Sequence, residues 1–291
     1  MLMMDDDGAA VAVVLVSYHT GPILTPAVAS VLADPAVREV VVVDNGNPPG
    51  ALADLPIDPR LSVLTGHGNV GFAAGCHIGV SATSAPLVLI LNPDCMVPDL
   101  VLTRLVAAMA GTPEPWIASP VVRGQDGREQ AGGRRWLPSP GRCLAEATGF
   151  SRLPFARNWG VTQRHRPLTP GRMPVPALSG AFMLMPRTTW TSLGGLDSGY
   201  FLHVEDLDIA ARLQAAGGRC WVVGDLAVLH VKGTSAAPAW TVERHKIAGF
   251  RRYFAQHNPG PLGMLALGVI AIGLWARTRL RRLARRARRH S

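Results

Sequence analysis

The chain has 291 residues, 48% of them hydrophobic and 17% charged, which is ample apolar material for a large packed core and excludes an intrinsically disordered chain. Its net charge of +9 points first to nucleic acid, but Arg277, Arg279, Arg281, Arg282, Arg285, Arg286, Arg288 and Arg289 supply eight of those charges in a stretch without acids. The body is therefore close to neutral, and with only Trp275 among the arginines no nucleic-acid partner is expected.

The N-terminal Met1-Leu2-Met3-Met4-Asp5-Asp6-Asp7 has no basic region ahead of an apolar one, so no secretory signal is read there and a cytoplasmic location is expected. Val11 to Val16, Val40 to Val43 and Leu87 to Leu91 are apolar runs rich in β-branched residues, each ending in a polar residue. Such runs predict strands buried on both faces, hence a parallel sheet covered by helices. Pro22 to Ala33, Gly71 to Ser81 and Pro98 to Ala110 have helical spacing and alternate with them, which makes the fold class α/β. From Gly111 to Arg172 the texture changes to Pro, Gly and Arg, predicting a loop-rich segment or lid. Val175 to Met185 resumes a strand-like pattern, Arg219 to Val223 and Leu226 to Leu229 read as short late strands, and Thr241 to Gln256 reads as a basic helix. Cys76, Cys95, Cys143 and Cys220 have no Cys-x-x-Cys spacing, so reduced, buried thiols are expected rather than a zinc site or disulfide framework.

Ligands of open α/β sheets bind outside the carboxyl ends of the strands. The residues at those ends are Ser17-Tyr18, Asp44-Asn45-Gly46 and Asn92-Pro93-Asp94. Gly66-His67-Gly68-Asn69-Val70-Gly71 fits G-x-G-x-x-G, but at least two strands precede it, whereas the dinucleotide fingerprint belongs on the first. As a turn opening a helix it is expected to present backbone N–H groups to a ligand. Asn92-Pro93-Asp94 fits both an Asx-type turn and a single carboxylate for a divalent ion held otherwise by water and phosphates, and Asp44 invites the same two readings. His230, ahead of Lys232, Thr234 and Ser235, is either a hydrogen-bonded strand-end residue or a contact to a diphosphate or metal, and His203 is open in the same way.

The richest segment is Gly194-Gly195-Leu196-Asp197 followed by Tyr200 to Asp208, which carries acids into the first turn of a helix. Asp208 and Arg212 at i, i+4 predict an ordinary surface ion pair. Asp206 shares its stripe with Ile209, Ala210 and Leu213, so its carboxylate is aimed at the interior or a cleft, as a cap or as a base with Glu205 in support.

In this order Val16-Ser17-Tyr18, Val42 to Gly46, Gly68 to Gly75, Leu91 to Asp94, Leu178 to Phe182, Gly194 to Asp208 and His230 to Ser235 resemble the family 2 glycosyltransferases, over nearly all of Val11 to Ser235. The Asn-Pro-Asp form, the Ser-Gly-Ala segment and the basic tail most resemble bacterial rhamnosyltransferases that extend a lipid-diphosphate-linked sugar. The resemblance implies a GT-A fold, Rossmann-like with a mostly parallel sheet flanked by helices. It divides residues 1–240 into a nucleotide-binding half, about 10–110, and an acceptor and catalytic half, about 111–240. It implies that Ser17, Tyr18 and Asp44 hold base and ribose, that Asn69 and Gly71 lie beside the nucleotide with Asn92 near it, and that Asp94 and His230 hold Mg²⁺ or Mn²⁺. Asn92 stands where the family's metal motif has its first acid, leaving one carboxylate for the ion. Asp206 matches the catalytic base, with Glu205 beside it.

The implied reaction is inverting transfer of a sugar, best matched by L-rhamnose from dTDP-rhamnose, to a hydroxyl of a glycan or polyprenyl-diphosphate sugar in cell-envelope polysaccharide synthesis. A galactofuranosyl or other hexosyl donor, a nucleotide-dependent oxidoreductase using Gly66 to Gly71, and a non-catalytic nucleotide-sugar-binding protein on the membrane are the alternatives. Leu262 to Ala276 is an uncharged apolar run of about fifteen residues, short of the roughly twenty that cross a bilayer as a helix. Followed directly by the arginines, residues 241–291 read as a helical extension lying on the anionic inner face of the plasma membrane.

Overall fold

The computed structural model describes residues 10–231 and 239–273. In chain order the strands are β1 (Val11–Ser17), β2 (Val37–Asp44), β3 (Leu61–Leu64), β4 (Leu87–Leu91), β5 (Cys95–Met96), β6 (Trp116–Arg123), β7 (Arg134–Arg135), β8 (Arg172–Val175), β9 (Ala177–Leu178), β10 (Phe182–Pro186) and β11 (Arg219–His230). The helices are α1 (Leu24–Leu32), α2 (Phe72–Ser81), α3 (Val101–Met109), α4 (Pro140–Ala147), α5 (Arg187–Ser192), α6 (Glu205–Ala215) and α7 (Ala239–His257), and residues 261–273 are also helical.

The uninterrupted apolar runs divide by parity between two cores, as a strand's alternating side chains require. Val11, Val13 and Leu15 of β1 and Leu87, Leu89 and Leu91 of β4 pack with Leu24, Val28 and Val31 of α1 and Leu102 and Leu105 of α3. On the opposite face Val14, Val16, Val88 and Ile90 pack with Cys76 of α2, Leu207, Ile209 and Leu213 of α6, and Tyr253 and Phe254 of α7. The result is the expected helix, sheet, helix sandwich.

The sheet runs in the order β3-β2-β1-β4-β10-β6-β11-β5, with β8 on β11. β3, β2, β1, β4, β6 and β11 point one way, and β10, β5 and β8 run against them, so the sheet is mostly parallel as expected.

Three readings of the chain are corrected. The segment expected to be loop-rich contains β6, a buried strand between β10 and β11. Pro120 disguises it, because proline cannot donate within a ladder and usually argues against a central strand. Its register partner, Val223, is the last before the register shift that ends at Ala227, so the proline is placed where the ladder is already interrupted. The same shift explains why the two expected late strands are one, β11, bent at its middle. Val175 to Met185, expected to be strand-like, is divided at Pro176 and again at Ser179 and Gly180 among the end of β8, β9 and β10.

The four cysteines are free and buried, as expected. No described helix is long and apolar enough to cross a membrane. Lys232, Thr234, Ser235 and the arginines of the tail lie outside the described residues.

Candidate functional site

β1, β2, β4 and β11 all deliver their carboxyl ends to one edge of the sheet. Ser17 and Asp44 are register partners at that edge. Asp44 Oδ1 accepts from the backbone N–H groups of Gly46 and Asn47 and from Asn47 Nδ2, at 3.2, 2.8 and 2.8 Å, which closes an Asx-type turn. All three bonds go to Oδ1. Burial pushes the Asp44 carboxyl up, but the bonds from Asn47 and Gly46 outweigh it and hold the carboxyl below its ordinary value. Ser17 is fully buried, its hydroxyl shared with Thr20 at 3.0 Å and donated to Asn47 Oδ1 at 3.2 Å, so it braces the turn from beneath. The Tyr18 ring stands beside Gly46 and lies edge-on to His19 at 4.5 Å.

The glycine-rich turn is bound to this strand end by two asparagines. Asn45 Nδ2 donates to Asn69 Oδ1, and Asn45 Oδ1 accepts from Val70 N–H, each at 3.0 Å. Asn69 Oδ1 also accepts from Gly71 N–H at 3.1 Å, and Phe72 N–H donates to Phe201 O at 2.8 Å. The expectation that this turn offers its N–H groups to a ligand is narrowed: those of Val70, Gly71 and Phe72 are consumed inside the protein. Gly71 has φ of 87°, and a Cβ there would lie 2.8 Å from the Phe201 ring and 2.9 Å from its carbonyl oxygen. Its missing side chain admits the segment ahead of α6, not a pyrophosphate.

At the end of β4, Asn92 N–H donates to Ala181 O at 3.0 Å, and Cys95 N–H closes a turn onto Asn92 O at 3.1 Å. His230, at the end of β11, pairs in register with Cys95, so its ring meets the Asn92-Pro93-Asp94 turn. Nε2 lies 3.1 Å from Asp94 Oδ1 and 3.3 Å from Asn92 Nδ2. Gln130 settles which ring nitrogen carries the proton. Its Nε2 donates to the His230 carbonyl at 2.8 Å, which turns Oε1 toward Nδ1 at 3.0 Å. An amide oxygen only accepts, so Nδ1 carries a proton, and Nε2 is the nitrogen that faces Asp94, where an unprotonated Nε2 would present its lone pair beside the carboxylate. Two acceptors 3.1 Å apart fit a cation placed against both.

Asp206 comes to the same edge from the opposite helix layer. Its Oδ2 accepts from Gly180 N–H at 2.9 Å and from Arg135 Nη2 at 2.5 Å, and Arg135 Nη2 also donates to Leu178 O at 2.6 Å. Gly180 is adjacent to Ala181, whose carbonyl holds Asn92, so Asp206 of α6 is tied to the segment that pairs with the end of β4. The break between β9 and β10 is what frees Gly180 N–H for the carboxylate, and a Cβ on Gly180 would come within 3.3 Å of Asp206 Cβ. Asp206 does not cap its own helix: Val204 is the N-cap residue, with no side-chain cap. His203 and Val204 both lie in the left-handed region, with φ of 68° and 76°, a costly arrangement for a β-branched residue that turns Glu205 and Asp206 in different directions. Glu205 is turned inward, and its Oε2 has no hydrogen-bond partner. Burial, and then the charge of Asp206, push its carboxyl up to about 8, so it carries a proton at neutral pH.

The pair of Asp208 and Arg212 is not on the surface as expected. Asp208 is buried and accepts from Arg212 at 2.7 Å and from His257 of α7 at 2.8 Å, while Arg212 donates to Leu193 O and Gly195 O. α6 thereby fastens the Gly194-Gly195 turn and α7 to one another. His77 reaches Leu196 O at 2.6 Å and serves the same loop.

Reading the sequence missed Asn45, Asn47, Gln130 and Arg135 as site residues. The two asparagines were visible in the strand-end segment. Gln130 and Arg135 lie in the stretch read as loop, and only pairing in space identifies them.

The family profile for Glycosyl transferase family 2 matches residues 12–175. The chain is 30% identical, over 94% of its length and 95% of the relative's, to N-acetylglucosaminyl-diphospho-decaprenol L-rhamnosyltransferase of Mycobacterium tuberculosis. Among solved structures it resembles GalNAc-T7 with UDP, GalNAc and Mn²⁺ at a TM-score of 0.59 and 19% identity, covering 90% of this chain and 54%, about half, of that protein. It also resembles the mannosyltransferase PcManGT from Pyrobaculum calidifontis with GDP-Man and Mn²⁺, at a TM-score of 0.58 and 17% identity, covering 91% of this chain and 69% of that one.

Proposed function

The chain belongs to glycosyltransferase family 2 and is a glycosyltransferase with the GT-A fold, and from that premise we propose that it transfers L-rhamnose from dTDP-rhamnose, with inversion, to a sugar carried on a lipid diphosphate. The observation that carries this reading is that the Asp94 and His230 pair stands at the sheet edge to which a helix carboxylate, Asp206, is also tied, anchored among the described residues through one oxygen. The choice of sugar and acceptor is supported by the mycobacterial relative, whose name specifies both.

A divalent ion fits the residues present. His230 Nε2 offers a lone pair fixed by Gln130, which is the usual outer support of a ligating histidine, and Asp94 Oδ1 faces it. Among the described residues no three His, Cys, Asp or Glu side chains cluster with metal-site spacing, so two protein ligands leave the remaining positions to donor phosphate and water, as suits Mg²⁺ or Mn²⁺. When bound, such an ion neutralises the charge that develops on the departing diphosphate.

The protein's own groups divide the remaining work. The Asp44 to Asn47 turn, with Tyr18 beside it, receives the base and ribose. Ser17 and the Asn45 and Asn69 clasp hold that turn rigid, and Asn92 orients the His230 ring. Asp206 Oδ1, left open by the two bonds to Oδ2, takes the acceptor hydroxyl's proton while that oxygen attacks the anomeric carbon from the face opposite the diphosphate. Glu205, carrying its proton, stays neutral and keeps a second charge away from the base.

A lipid-diphosphate acceptor places the reaction at the inner face of the plasma membrane, in cell-envelope polysaccharide synthesis. The helix at residues 261–273 supports this, because Leu262, Met264, Leu265 and Ile272 are exposed on it and the arginines of the tail follow. The test is turnover of dTDP-rhamnose, and of UDP-, GDP- and other dTDP-sugars, with a lipid-diphospho-N-acetylglucosamine acceptor and with or without Mg²⁺ or Mn²⁺. Rhamnosyl product that requires the ion is expected. Product from a different sugar nucleotide alone would overturn the donor, and tight nucleotide-sugar binding without any transfer would mark a binding protein instead of an enzyme.

A further inference from the structure

Between Trp136 and Val161 the chain leaves the body and returns, and its neck is closed by Trp136 N–H donating to Val161 O at 2.8 Å and by the bridge of Arg135 to Thr162. The excursion contains α4 and two short 3₁₀ turns, Phe150–Arg152 and Pro154–Trp159. Its inner side is anchored by Cys143 and Ala156, which are buried, and by Arg142, which donates to Asn158 O at 2.6 Å and Gly160 O at 3.0 Å. Its outer side is aromatic. Phe155 is 78% exposed and Trp159 59%, and both rings stand edge-on to Phe150 at 5.9 and 6.5 Å, with Leu144 and Leu153 exposed near them in the chain.

Charge says what covers this patch. Glu146, tied to the Ser151 hydroxyl at 3.0 Å, is the last acid before Asp197, and the fifty residues between are rich in arginine, with Arg152 and Arg157 exposed within the excursion itself. Exposed Phe and Trp interleaved with arginine is the composition of a surface that sits at the level of lipid head groups, rings in the interfacial layer and guanidinium groups on phosphates. The neck adds the functional link, since Arg135, which closes it, is also bonded to Asp206. We propose that residues 140–160 are a membrane-docking knuckle that sinks Phe155 and Trp159 into an anionic bilayer and so sets Asp206 at the surface where a lipid-linked acceptor presents its sugar. The proposal rests on the lipid-acceptor reading for its purpose, but its residues are distinct from the apolar helix and basic tail.

The experiment uses the full-length protein. All four native cysteines are buried, so Phe155→Cys can be labelled selectively with an environment-sensitive fluorophore, with Ile57→Cys, fully exposed between β2 and β3, as the reference position. Addition of vesicles of phosphatidylcholine and phosphatidylglycerol is expected to blue-shift the label at position 155 and not at 57, and vesicles of phosphatidylcholine alone to do so about tenfold more weakly. The double variant Phe155→Ser with Trp159→Ser is expected to partition into the anionic vesicles at least about tenfold more weakly, and to keep turnover with a detergent-solubilised acceptor. Leu265→Ser with Ile272→Ser, measured separately, isolates the C-terminal helix. A label at 155 that stays unshifted while the C-terminal variant loses binding overturns the knuckle and leaves the lipid-acceptor reading standing. A shift that depends on protein concentration without vesicles makes the patch a contact between proteins and also overturns it. If the wild type fails to bind vesicles at all, the knuckle falls together with the membrane location.

Discussion

Around the Asn45 and Asn69 clasp the backbone N–H groups of Gly46, Asn47, Val70, Gly71 and Phe72 all find partners within the protein, and the one carboxylate there is held below its ordinary pKa by hydrogen bonds. Around Asp206, a few residues away along the same sheet edge, two non-glycine residues are held in left-handed conformations, a buried carboxylic acid lacks a partner, and an arginine is bonded to the carboxylate expected to react. The first region is a finished surface that asks nothing of a ligand except shape. The second stores strain and a buried carboxyl without a partner beside an ion-paired carboxylate, which is the setting of a group that must change protonation during a reaction. In the proposed roles, binding and chemistry are separated between a strand end and a helix start that come from different parts of the chain.

The contrast can be broken from either side. Asp206→Asn should lower the transfer rate by about 10²–10⁴-fold, the usual worth of a positioned base, while isothermal titration with donor shows unchanged affinity. An equal loss of both would merge the two regions into one. Gln130→Leu frees the His230 ring without touching the ion's ligands and should weaken Mn²⁺ binding by about 10–100-fold, read from the Mn²⁺ dependence of activity and from direct titration. Asn45→Ala leaves Val70 N–H without its partner and removes one of the two donors to Asn69 Oδ1, and should cost about 1–3 kcal/mol in urea unfolding, with a raised KM for the donor and little change in kcat at saturation.

A pH series sharpens the comparison further. Glu205 has its folded-state pKa raised from 4.5 to about 8, so the folded protein binds more protons than the unfolded chain across that window and stability falls as pH rises through it. Glu205→Gln removes this penalty. Its Tm advantage over the wild type should be absent below pH 4.5, grow between 4.5 and 8, and level off above, at about 2 °C for each kcal/mol recovered. A flat difference across pH would show that Glu205 is not the carboxyl with the raised pKa.

The parallel strands and their helices were legible because a strand buried on both faces must be apolar at every position, and Val11 to Val16 and Leu87 to Leu91 are. Asp44 and Asp94 were legible for a related reason: a polar residue that ends such a run stands at the sheet edge. Pro120 hid β6, since the bulge in β11 that tolerates it lies about a hundred residues away. Asp208 was misjudged as exposed because i, i+4 spacing specifies its partner Arg212 but not what covers the pair, which is α7.

Sequence by itself determined the layered α/β fold and the strand-end carboxylates, both consequences of local periodicity and of where apolar runs stop. Only the tertiary structure decided the tautomer of His230 through Gln130, the anchoring of Asp206 by Gly180 and Arg135, and the protonated state of Glu205. Each of these depends on a hydrogen bond or a desolvation imposed by residues distant in the chain, and neither distance nor burial between distant residues is written in local spacing.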